Sequence, residues 1–112
     1  MSWATLTQAD LTSADLSNND LRYVSLNSAV LTGADLSYSD LSDAFLSNAD
    51  LSGTNLSHSD LRRANLDRAD LSYADLRYAN LRWARLVQTD LTGADLYGAD
   101  LSWVTLSGWT YK

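Results

Sequence analysis

Cysteine, proline and glutamate are all missing from this 112-residue chain. Without cysteine there can be no disulfide framework and no thiolate ligand for a metal. With a single histidine, His58, a zinc site is not expected either, and no cofactor is expected. No apolar run approaches the length that crosses a bilayer, so no membrane association is expected. The start, Met1 to Thr5, shows no basic stretch leading into an apolar one, so no signal peptide is visible and a soluble, cytoplasmic protein is expected. Basic charge is also scarce: a net charge of −6 argues against direct nucleic-acid binding, because phosphate contacts need a basic surface. All fourteen acids are aspartate, which asks for a positional cause.

What is present is a repeat. Leucine falls at Leu6, Leu11, Leu16 and every fifth position to Leu106, with no gap and none outside the series. On an α-helix five residues advance the direction by about 140°, so these leucines would wind around all sides. On a straight strand an odd spacing would throw every second one outward. A common inward direction therefore needs the backbone to turn once per repeat.

The other positions agree. Two residues before each leucine comes alanine in fourteen of twenty-one repeats, so a small and a large side chain share one face of a short extended stretch. The residue between them is Asp in twelve repeats and Asn in three, types that bond nearby backbone groups in turns. That is the positional cause sought above. A second period sets the number of corners. Before every fourth leucine stand Thr5, Ser25, Phe45, Asn65, Arg85 and Thr105, with no aspartate, while the other three columns hold all twelve. A twenty-residue superperiod means four repeats per coil and a square cross-section.

Runs such as Ala34-Asp35-Leu36-Ser37-Tyr38 and Ala94-Asp95-Leu96-Tyr97-Gly98 resemble the pentapeptide repeat pattern, A-(D/N)-L-x-x, over essentially the whole chain. The resemblance implies an all-β fold, a right-handed quadrilateral β-helix, here of about five coils in one domain, 1–112. Stacked strands lie about 4.8 Å apart, so the rod should be on the order of 25 Å long. Its first and last coils expose backbone edges and half-covered leucines. Trp109 stands where the next repeat would offer alanine, and Trp109 with Tyr111 is expected to lid the last coil or to meet a second copy. A monomer or an end-to-end homodimer follows.

Several groups invite a chemical reading. Asp15, Asp35, Asn55, Asp75 and Asp95 form a column that could bind cations or mimic a nucleic-acid backbone, but near-equivalent outward carboxylates are read as each organising its own turn. Ser57-His58-Ser59-Asp60 has the letters of a catalytic triad on an outward corner, without the burial a triad needs. Thr12, Thr32, Ser52, Ser72 and Thr92 make a hydroxyl row, a weak match to the flat threonine arrays of ice-binding surfaces. Six of seven arginines fall in residues 61–85, which makes the rod acidic, then basic, then acidic. Arg62, Arg63 and Arg82 share a face with Trp83 and Trp103, residue types enriched at interaction hot spots. These five form a candidate interaction surface for an unknown protein partner; the blander alternative is that they only keep the corner soluble.

The reading for function is a structural or interaction scaffold rather than an enzyme, since a coil filled by leucine and alanine has no room for a pocket and the unbroken register leaves no inserted loop to build one. The uninterrupted leucine series is also what an engineered or consensus-like chain without native activity would show. The alternative is a DNA mimic: some pentapeptide repeat proteins resemble duplex DNA in shape and charge and bind type II topoisomerases such as gyrase. The short length and basic waist of this chain count against it.

Overall fold

Each leucine closes a short extended stretch and opens a corner. In the computed structural model, which describes residues 1–108, the amide of Ala9 donates to the Leu6 carbonyl at 3.0 Å, and the same bond recurs through the chain, as from Thr54 to Leu51 at 3.1 Å. The third residue of each such turn has a left-handed φ, for example 61° at Gln8, 58° at Tyr73 and 69° at Gly93. A four-residue turn with positive φ at its third position is of the type II kind, which favours glycine or asparagine there. Yet seventeen of these positive-φ residues are not glycine. Left-handed backbone costs such residues roughly 1–2 kcal/mol each. The strain is offset in place: the amide of the same corner residue bonds the next coil, as from Gln8 to the Asn27 carbonyl at 3.0 Å.

Corners every five residues make successive coils stack in parallel. Bridges join residues twenty apart from Thr5↔Ser25 to Asn80↔Asp100. Two three-residue strands, β1 (Arg85–Val87) and β2 (Thr105–Ser107), pair in the same register, Arg85↔Thr105. The ladder bonds are short, such as Leu6 N–H to the Ser25 carbonyl at 2.7 Å. The resulting rod measures 29 × 20 × 19 Å, a square section close to the expected length.

Leucines from Leu21 to Leu91 are buried along the axis, with the alanines packed beside them. Four polar residues replace alanine inside without leaving a polar group bare. Thr54 and Thr89 donate to the Leu31 and Leu66 carbonyls of the preceding coil at 2.8 Å, Ser39 to that of Leu16 at 2.7 Å, and Ser59 to Leu56 at 2.6 Å. An unpaired buried hydroxyl would cost about 1–3 kcal/mol, which explains why each has a carbonyl partner.

Toward the ends the core thins. Leu6, Leu11 and Leu16 are half-buried, and Leu101 and Leu106 are 36% and 43% exposed. Trp109 and Tyr111, expected to lid the last coil or meet a second copy, lie outside the described residues.

Candidate interaction face

Three sides of the rod are built alike. Every Asp or Asn placed just before a leucine accepts a hydrogen bond from the amide two residues on, as Asp50 does from Ser52 at 3.0 Å and Asp70 from Ser72 at 2.9 Å. Many also take the hydroxyl of that residue, at 2.6 Å for Ser42 on Asp40. The carboxylates are thus spent on their own corners. Hydrogen bonds from Thr12, Ser17 and Ser102 hold the carboxyls of Asp10, Asp15 and Asp100 below the usual aspartate range.

The fourth side differs. Its column reads Thr5, Ser25, Phe45, Asn65, Arg85, Thr105, and two of its corner amides are served from the coil before. Asn27 Oδ1 accepts from the Ser47 amide at 3.0 Å and Asp67 Oδ1 from the Val87 amide at 3.1 Å. This relieves positions 45 and 85 of the turn-forming duty that Asn65 keeps toward the Asp67 amide, and lets Phe45, 46% exposed, and Arg85 stand on the surface.

The corner leading into this side carries the five residues singled out above. Arg62, Arg63, Arg82, Trp83 and Trp103 are all exposed. Going along the corner, Trp3 stacks on Tyr23 at 4.2 Å, Asp43 pairs with Arg63 at 2.8 Å, and Trp83 stacks on Trp103 at 5.4 Å. An ion pair therefore sits between two aromatic pairs. Arg62 leans back to Asp60 at 2.6 Å, as Arg22 does to Asp20 at 2.7 Å. The hydrogen bond from Arg22 holds the Asp20 carboxyl down to about 2. Arg82 comes no closer than 3.9 Å to the Asp100 carboxylate. On the far corner of the same side Arg68 donates to Gln88 at 3.0 Å, and between the corners Arg85 pairs with Asp67 at 2.7 Å. A shallow depression of about 360 Å³ lies there, lined by Ser47, Asn48, Asp67, Arg68, Arg85, Val87 and Gln88.

The other candidates are not assembled into sites. The His58 ring is stacked between Tyr38 and Tyr78 at 4.7 and 5.0 Å, while Ser57 donates to Asn55 and Ser59 to the Leu56 carbonyl, so no relay forms. In the hydroxyl row Thr12 and Ser52 donate to Asp10 and Asp50, and Thr32 to Asp50 at 3.1 Å, which turns them to carboxylates rather than into a regular array. No cluster of possible metal ligands occurs among the described residues. Phe45, Arg68 and Arg85 were not in the sequence-derived set, although the column without aspartate was the signal that could have found Phe45 and Arg85.

A four-sided coil whose polar side chains serve its own turns is a β-solenoid repeat protein. The pentapeptide repeat family matches in eight copies over residues 1–37, 29–68, 49–86 and 69–108, and the chain belongs to it, with that family's right-handed quadrilateral β-helix. Among solved structures it is similar to HetL, a pentapeptide repeat protein of Nostoc sp. strain PCC 7120 involved in heterocyst differentiation regulation, at 35% identity and a TM-score of 0.72 over 97% of this chain and 62% of that one. It is also similar to a pentapeptide repeat protein of the Arabidopsis thaliana thylakoid lumen, at 28% identity and a TM-score of 0.83 over 85% of this chain and 66% of that one. The chain thus spans under two thirds of the length of both. A comparison with curated proteins finds no match. No helix among the described residues is long and apolar enough to cross a membrane.

Proposed function

We propose that the chain is a non-enzymatic interaction scaffold, a rigid square rod that offers the corner of Arg62, Arg63, Arg82, Trp83 and Trp103 to a protein partner. The observation that carries this is the one-sidedness of the surface. Six of the seven arginines, every described tryptophan and the only phenylalanine fall on one side and its two corners, while twelve of fourteen aspartates fall on the other three. Arginine and tryptophan are the residues that dominate interface energetics. Among the described residues the interior is filled by buried leucine and alanine, which speaks for a surface that binds rather than a pocket that reacts. Residues 1–112 act as one domain in the cytoplasm, as a monomer or an end-to-end homodimer. The even leucine register also fits an engineered or consensus-like chain without native activity. In-cell crosslinking tests the scaffold reading: Arg62→Ala with Trp103→Ala should abolish a defined crosslinked partner. A partner equally captured by that variant, or none in any host, counts against it.

The aspartate columns favour a second reading, a DNA mimic that binds gyrase. Duplex DNA carries one negative charge per about 1.7 Å. The rod's net −6 over 29 Å is roughly one per 5 Å, a third of that density, so the reading stands second. Gyrase supercoiling left untouched by a large excess of the protein removes it.

A further inference from the structure

The sidedness has a chemical direction, and it joins Arg82 of the five above to Arg68, Arg85 and Phe45, which are not among them. Four of the arginines at this side are held by aspartates at 2.6–2.8 Å: Arg22, Arg62, Arg63 and Arg85. Two are not. Among the described residues the Arg68 guanidinium is bonded only to the Gln88 amide oxygen, and the nearest carboxylate contact of Arg82 is 3.9 Å away. They stand on the two corners that bound the same side, with the depression and Arg85 between them and Phe45 exposed on the same column. Asp43 and Asp67, the aspartates on this side and its two corners, are each taken by an arginine, as are Asp20 and Asp60 of the adjoining side, while Asp100 stands 3.9 Å from Arg82.

We infer that this side is the docking surface for an acidic polypeptide segment. Its carboxylates would meet the guanidinium groups of Arg68 and Arg82, which present planar arrays of donors suited to carboxylate oxygens. An apolar side chain of the same segment would cover Phe45. The inference rests on the scaffold reading above and gives its partner a chemistry.

The net charge of −6 does not defeat it. Screening at physiological salt falls off over about 8 Å. The rod is 20 × 19 Å across, so a segment on this side lies beyond that range of the aspartates on the opposite one. Of the flanking aspartates, Asp20 and Asp60 are neutralised by Arg22 and Arg62, and Asp100, 3.9 Å from Arg82, is a carboxylate the segment would compete with. A nucleic acid fits less well. It carries charge along its whole length and is held by many phosphate contacts, whereas among the described residues this side offers only two guanidiniums not held by a carboxylate at hydrogen-bond distance.

The experiment compares two variants of equal net charge, using a fluorescein-labelled short peptide of glutamates interrupted by leucine as the probe. Arg68→Gln with Arg82→Gln removes two positive charges from the docking side. Ser13→Glu with Tyr97→Glu adds two negative charges at exposed positions on other corners. At physiological salt the parent protein should bind the probe saturably, the first variant about tenfold more weakly, and the second within about twofold of the parent. Neither change touches a buried side chain, and matching thermal midpoints certify that both variants fold. The inference is overturned by equal losses in the two variants, by no loss in the first, by no saturable binding, or by tighter binding of an oligonucleotide of equal charge. If crosslinking to a cellular partner still depends on Arg62 and Trp103 while the glutamate probe fails, the acidic-partner inference falls and the scaffold reading stands.

Discussion

The Ser39 hydroxyl donates to the Leu16 carbonyl at 2.7 Å, across a coil boundary, and accepts from the Asn19 amide at 3.3 Å. It stands where that turn would otherwise close on itself, since in the neighbouring repeat the Ala14 amide reaches Leu11 directly. Ser39→Ala therefore strands two partly buried backbone groups and should cost about 1–3 kcal/mol in urea denaturation. Asn19→Ala together with Ser39→Ala restores the ordinary repeat and should recover most of that loss. Additive losses in the cycle would show that the hydroxyl is not what holds this turn open.

The leucine column should be strongly graded in its effect. Leu56 is fully buried at the centre of the stack, and Leu106 is largely open at its end. We expect Leu56→Ala to lower stability by about 2–5 kcal/mol and Leu106→Ala by under about 1 kcal/mol, read from denaturation midpoints. Equal losses would contradict the thinning of the core toward the end of the stack.

Two glycines at equivalent corners should respond unequally. A Cβ at Gly93 would lie 2.6 Å from the Tyr73 ring, whereas at Gly53 nothing stands within 4 Å. Both have left-handed φ, which costs an alanine roughly 1 kcal/mol in either place. Gly93→Ala should cost more than Gly53→Ala, and Tyr73→Ala should erase the difference. An unchanged difference in that background would exclude the ring as its cause.

Acid should unfold the rod through its corners. Hydrogen bonds from Ser52, Arg63 and Arg77 hold the carboxyls of Asp50, Asp43 and Asp75 below the ordinary 3.8, and Asp20 is down to about 2 through Arg22. A carboxyl with a folded value below its unfolded one adds stability above the unfolded value and loses it as pH falls through the folded one. The thermal midpoint should be level from pH 7 to about 5, then drop between about 4 and 2. A midpoint that rises on acidification would contradict the turn role of these aspartates.

The leucine spacing, the small partner two residues before it and the absence of aspartate before every fourth leucine were enough to derive a square coil, because an inward side chain every five residues is compatible only with a backbone that turns at the same interval. Tertiary structure alone decided how the surface is used. Asp43 and Arg63 are twenty residues apart, and so are Trp83 and Trp103; each pair meets only because coils stack in parallel at that offset. The left-handed corners at Tyr73 or Trp83 were equally hidden, since those residue types do not favour such φ, and at both the next coil receives their amide. Which arginines keep a guanidinium available for a partner depends on distances to carboxylates on neighbouring coils, and linear order does not encode them.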